Sequence, residues 1–417
     1  MTRARAVIAA GLVVLGLAAP AAAGADRSSS ADPVVEWARI SHDTAVTAMA
    51  SGGSPTISVF SYPIAQAAVY DAAVAIDERF EPYAVKIDAD PDASQAAAVA
   101  TAAHRVLVAI FPAQASRLDR TYAGYLVRLA DGKRKRAGVR VGKRAAAGIL
   151  RLREGDGREH DPPFMQRPRG PGVYEPEPPG FNLGVGFGQV RPFGLKRGAQ
   201  FRPGPPSPLT SAQYAADFEE VKQLGRIDSA TRADPQTAVA RFWFDDPFVV
   251  WVKGLARIAR HGGLDLTDAA RLHALGHVAI ADSIIACWDA KYHYHHWRPR
   301  HAVQRADTDG VPATVGDPSW EPLEPTHPHP EYPSGYNCLT GALAKVIAHL
   351  QGREARFALT SETTKATRTF TAKTLAKDVI DARVWAGAHF RNSDDVASKL
   401  GRRVARWIIR RHFRPDD

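Results

Sequence analysis

Lys291-Tyr292-His293-Tyr294-His295-His296-Trp297-Arg298-Pro299-Arg300-His301 is the densest run of histidine, aromatic and basic residues in the chain. It closes an apolar-periodic pattern that begins at Leu266 and runs towards Arg298, which reads as one long helix. Lys291 and Arg298 lie seven positions apart, nearly two helical turns, so on one helix they share a face. Two long cations on one face can converge on a single multi-oxygen anion. Arginine offers a planar fork of donors, and lysine a mobile point charge.

Two pieces further along suit the same anion. In His327-Pro328-His329-Pro330-Glu331-Tyr332-Pro333-Ser334-Gly335-Tyr336-Asn337, proline stands just before an apolar-periodic run, which marks a helix start. Ser334 supplies a hydroxyl there, and Gly335 an unobstructed backbone N–H where the helix dipole favours an anion. The third piece, Ala382-Arg383-Val384-Trp385-Ala386-Gly387-Ala388-His389, adds a third cation and a histidine. Asp394, shortly after it, is the expected orienting partner of that ring.

In this order the pieces resemble the three-part signature of the vanadium-dependent haloperoxidase and type 2 phosphatidic acid phosphatase superfamily. That pattern is Lys, six residues, Arg-Pro; then Pro-Ser-Gly-His; then Ser-Arg, five residues, His, with Asp shortly after. Here it reads Lys291…Arg298-Pro299, Pro333-Ser334-Gly335-Tyr336 and Ala382-Arg383…His389. The resemblance covers about 266–413. More loosely, the N-terminal helices and Ala240-Arg241-Phe242-Trp243 are similar to the secreted bacterial branch.

The resemblance implies an all-α helical bundle with vanadate as cofactor. It implies that Lys291, Arg298, Ser334, Gly335 and Arg383 donate hydrogen bonds to the oxygens of vanadate or phosphate. His389 is then the vanadium ligand, or the group that attacks phosphorus, and His329 the residue that tunes halide choice. Hydrogen peroxide and a halide or small organic acceptor are the implied partners, with phosphate a competing anion. Tyr336 departs from the pattern, standing where the family has its acid–base histidine, and that implies weak or redirected peroxidase activity. Asp394 lies one residue further from His389 than is usual. A secreted acid phosphatase and an anion-binding homologue without catalysis are the alternatives on the same site. A zinc hydrolase at His273 and His277 is a third, weakened because Ala274 stands where the usual glutamate base would be.

Working outward, 417 residues suffice for one large domain or two ordinary ones. With 45% hydrophobic and 24% charged residues, wholesale disorder is excluded. The net charge of +10 gathers largely in 133–144 and 399–414, which read as solvated helix faces rather than a nucleic-acid surface. Two cysteines exclude a disulfide-built scaffold; Cys287 and Cys338 are either a pair or two small buried residues.

Arg3 and Arg5, an apolar stretch over 6–19 and the small residues after Pro20 read as a secretory signal peptide over 1–25, so export is expected. No later segment has eighteen uninterrupted apolar residues, so no membrane span is expected. The region 26–154 is expected to be helical, with helices near 34–50, 64–77, 93–111, 117–130 and 134–153. A Pro/Gly-rich connection over 155–209 carries Phe181, Phe187, Phe193 and Phe201, too many aromatics for a flexible linker, and is expected to wrap over the helices. The C-terminal bundle is 210–417, with no period-two alternation to suggest strands.

Overall fold

The computed structural model describes residues 32–177 and 180–416, so the expected signal peptide lies outside the described residues. Five helices come first: α1 (Asp32–Ala50), α2 (Pro55–Asp77), α3 (Gln95–Ile110), α4 (Ala115–Val127) and α5 (Lys133–Leu152). After the connection come α6 (Ala212–Gly225), α7 (Asp234–Phe242), α8 (Pro247–His261), α9 (Leu266–Tyr294) and α10 (Pro299–Gln304). The chain ends with α11 (Gly335–Leu350), a hairpin of β1 (Phe357–Thr360) and β2 (Thr367–Phe370), α12 (Ala372–Trp385) and α13 (Arg391–Ile409). The fold is all-α apart from this hairpin, which pairs Phe357 with Phe370. Each strand is four residues long, too short for its alternation to register against the helical pattern around it.

The α2 helix starts nine residues earlier than the sequence suggests. The helix runs through Pro63, where every residue from Ser58 to Ile76 is buried. The lost backbone bond is outweighed by that burial. Ser54 caps the start by accepting from the Ile57 N–H, with Pro55 in the first turn where its missing N–H costs nothing. By length and composition α2 could cross a membrane, yet here it packs against α1, α3, α5 and α9.

The 29-residue α9 is the axis of the molecule, buried along most of its length and in contact with α1, α2, α8, α11 and α13. One continuous apolar core therefore runs from Val34 to Phe413. The connection is strapped across α9. Buried Asp282 accepts from the backbone N–H groups of Phe193, Gly194 and Leu195 at 2.6, 2.7 and 2.8 Å. Trp288 Nε1 and the Tyr292 hydroxyl both donate to the Leu183 carbonyl. Of the four phenylalanines, Phe187 and Phe193 are buried, Phe201 is half-buried and Phe181 is exposed.

The helix carrying Lys291 does not reach Arg298. It stops at Tyr294, and His295 takes a left-handed conformation with φ 54°. Arg298 is instead the residue just before α10. The shared-face argument fails, and a turn of the chain brings the two cations together.

Candidate functional site

Around His389 the three separated pieces converge. Lys291 is fully buried, and its ammonium donates to the carbonyls of Pro330 and Glu331 at 2.7 and 2.9 Å. The Arg298 guanidinium donates from Nε to the His329 carbonyl, from one terminal nitrogen to the Ala388 carbonyl, and from the other to His329 Nδ1 at 2.9 Å. Arg383 forms an ion pair with Glu324 at 2.6 Å and donates to His327 Nε2 at 2.9 Å. Its Nε–H is buried with no protein partner. Burial pushes Lys291 down to about 8 and Arg298 down to about 10, the cost of holding cations away from water.

His389 is held in a defined tautomer. An arginine N–H can only donate, so the contact of Arg298 with His389 Nε2 at 3.3 Å makes Nε2 the acceptor. The other nitrogen, Nδ1, then carries the proton and donates it to Glu331 Oε1 at 2.8 Å. Burial first, then Arg298, Lys291 and Arg383, hold this imidazole well below its ordinary pKa. It is neutral, with the Nε2 lone pair directed to the cationic side of the site.

The orienting carboxylate is thus Glu331, not Asp394. Asp394 sits in the first turn of α13 and accepts from Asn337 Nδ2 at 2.7 Å. Glu331 is fully buried, accepts a second bond from the Phe390 N–H, and has its carboxyl pushed up to about 7 by burial against the pull of Lys291 and Arg298.

A glycine turn explains why Arg383 and His389, six residues apart, face one another's surroundings. Gly387 has φ +74°, and the reversal lets the Ala388 N–H bond back to the Arg383 carbonyl. A Cβ there would lie 2.6 Å from the Gly225 carbonyl and 2.7 Å from Pro322 Cβ. Gly387→Ala is expected to lose about 2 kcal/mol from the left-handed backbone alone. Urea unfolding checks it, and an unchanged midpoint would refute this account of the turn.

Gly335 opens α11 directly after Ser334, and a Cβ on it would meet the Trp288 ring at 2.9 Å. Tyr336 is buried beside it, but not as the sequence suggests. Its hydroxyl turns to the Asp245 carbonyl, 3.5 Å away, and its ring lies 5.4 Å from the Arg383 guanidinium carbon. Burial pushes its phenol well above 10. Tyr336 supports Arg383 through its ring face rather than offering an acid to an anion.

These groups open on a cavity of about 430 Å³ whose lining includes Gly335, Tyr336, Arg383, His389, His327 and His329. Its opposite wall is apolar and comes partly from the N-terminal half and the connection, through Val59, Leu183 and Phe187. Ser334, Lys291 and Arg298 are buried behind the lining. Sequence reasoning missed Glu331 and Glu324, although both lie in the proline-rich stretch it singled out or just before it. The other expectations resolve simply. His273 and His277 stack at 5.8 Å, and among the described residues no group of three or more His, Cys, Asp or Glu could hold a metal ion. Cys287 and Cys338 are free and buried.

Residues 271–415 match the family described as the VCPO second helical-bundle domain. Vanadium chloroperoxidase of Curvularia inaequalis is 27% identical across 34% of this chain, and the match spans 28% of that protein's length. Residues 271–415 thus carry this helical-bundle domain, and the chain spans little more than a quarter of the length of the curated relative it matches. The likeness in fold extends beyond the matched domain. A bacterial vanadium-dependent iodoperoxidase superposes with a TM-score of 0.78 at 23% identity, covering 92% of this chain and 98% of its own. A holo-type bacterial vanadium-dependent chloroperoxidase superposes at 0.66 with 17% identity, covering 84% and 90%.

Proposed function

We propose that this protein binds vanadate and uses hydrogen peroxide to oxidise a halide. The observation that carries the reading is the neutral His389 Nε2, set among three buried cations at the edge of a cavity. The donor set fits a tetrahedral oxyanion: two guanidinium groups, of which Arg383 keeps its Nε–H without a protein partner, an ammonium and the backbone N–H at Gly335. Vanadate held there supplies the peroxide-activating chemistry, while the chain supplies charge, orientation and exclusion of water. Lys291, Arg298 and Arg383 would balance the anion's charge, Ser334 and Gly335 would anchor it at the start of α11, and His389 would be its single protein ligand. Glu331 fixes the imidazole so that Nε2 needs no reorientation. His329, whose ring lies 5.1 Å from that of Trp288 in the cavity lining, is placed to contact a halide or organic acceptor. The expected signal peptide puts this activity outside the cytoplasm.

The test is halide oxidation with peroxide, run with and without added vanadate and across iodide, bromide and chloride. Vanadate-dependent turnover is expected. Release of phosphate from a generic monoester, with no halide oxidation, would replace this reading with the phosphatase one. Arg298→Ala and Arg383→Ala should each weaken vanadate binding by about 1.5–3 kcal/mol, roughly 10–100-fold, as a charge-assisted hydrogen bond is lost. Titration calorimetry measures this, and unchanged affinity in both variants would sink the site assignment.

A further inference from the structure

The cavity needs a group that can take up and return a proton, and Tyr336 is turned away with its hydroxyl on the Asp245 carbonyl. Of the cavity's histidines, His389 is bonded to Glu331 through Nδ1 and presents Nε2 to the oxyanion. His329 faces the Arg298 guanidinium, with the Lys291 charge nearby and no carboxylate bonded to either nitrogen. The cluster upstream is elsewhere: His293 contacts Arg202, His295 packs on Phe164, and His296 lies between Tyr214 and Phe390.

His327 is different. Its Nε2 accepts from Arg383 at 2.9 Å, and the carboxylate oxygen Glu324 Oε1 lies 3.4 Å from the same nitrogen. A neutral imidazole accepts the arginine N–H there, and the Glu324 carboxylate supplies the counter-charge for a protonated ring. Each charge state of the ring thus has a partner beside the same nitrogen. The side chain is 39% exposed, so it also meets solvent.

Glu324 is placed for this by backbone lacing between three elements. The Leu323 N–H donates to the Gly225 carbonyl at the end of α6, and the Glu324 N–H to the Ala386 carbonyl at the end of α12. The charged and titratable groups facing His327 are Glu324 on its own loop, Arg383 from α12, Arg298 from before α10, and His329, whose ring centroid is 5.9 Å away.

We propose that His327, held between Glu324 and Arg383, is the proton-exchanging group of this site, in the role that Tyr336 does not fill. The inference rests on reading the cavity as an oxyanion site. In the step concerned, an O–H bond of incoming peroxide breaks, its electron pair stays on oxygen, and Nε2 gains an N–H. The proton is then returned to the oxygen that departs as water. Glu324 is a positioning residue that stabilises the protonated ring.

The experiment uses inorganic phosphate as the probe, independently of turnover. Proton uptake on binding is measured by calorimetry in two buffers of different ionisation enthalpy, for wild type, His327→Gln, Glu324→Gln and His329→Gln. An anion beside His327 favours its charged form, so wild type should take up a fraction of a proton that both His327→Gln and Glu324→Gln lose and His329→Gln keeps. In the vanadate-loaded enzyme, His327→Gln should lower turnover by about 10²–10⁴-fold. Equal proton uptake in wild type and both the His327 and Glu324 variants overturns the inference while leaving the oxyanion reading intact. Absence of both phosphate and vanadate binding in wild type overturns the oxyanion reading itself. Use of Glu324→Gln keeps the test decisive if the His327 variant fails to fold.

Discussion

Glu331→Gln is expected to lower stability by about 3–5 kcal/mol and to weaken vanadate binding by about 10–100-fold. The carboxylate is fully buried and is the near counter-charge of Lys291 and Arg298 as well as the acceptor of the His389 proton. Two opposing effects act on the anion. Removing a negative charge makes the site more attractive to any oxyanion, whereas releasing the imidazole removes the preset Nε2. The second should dominate for vanadate, which on the proposed reading takes a bond from His389, and matter less for inorganic phosphate held by hydrogen bonds. The expected signature is therefore a larger loss for vanadate than for phosphate, measured by titration of each alongside a thermal melt. Equal gains in affinity for the two anions would show that Glu331 acts through charge alone.

Asp282→Ala should be among the most destabilising single changes in the chain, at more than about 3 kcal/mol. It leaves the N–H groups of Phe193, Gly194 and Leu195 without their acceptor, and each stranded buried donor costs about 1–3 kcal/mol. Asp282→Asn keeps one acceptor oxygen and should cost less. The same change should free the connection for proteolysis, which limited digestion followed by mass mapping would read. Leu183 and Phe187 belong to the connection and line the cavity, so a loosened strap should also alter access to the site. Unchanged protection of the segment in Asp282→Ala would refute the clasp.

The helical bundle was legible because long amphipathic periods and capping residues are local signals. The helix start at Asp265 follows from a side chain that reaches only three residues ahead. Lys291, Arg298, Arg383 and His389 were legible from a spaced resemblance, and the structure brings them together. The physical reason first given for Lys291 and Arg298 was nevertheless mistaken, since the left-handed turn at His295 depends on tertiary packing. The start of α2 was placed too late for a related reason: burial of a whole helix overrides the one bond missing at Pro63. Glu331 was not identifiable because its partner is 58 residues away, and nothing local distinguishes an orienting carboxylate from a surface one. Tyr336 was read as a departure, and its packing against Arg383 shows what the ring does.

Gly225 and Gly387 meet backbone to backbone, so that a Cβ on either one collides with the other. A side chain at one position cannot be accommodated by shrinking its neighbour, because the neighbour is already glycine. Divergence at the two positions is therefore tied. In relatives that keep α6 against α12, both should remain glycine, and a relative that has changed one must have moved these helix ends apart. That separation would also break the lacing through Leu323 and Glu324. A single non-glycine residue at either position thus marks, from sequence alone, a lineage in which the carboxylate beside Arg383 has been released and the local chemistry has drifted.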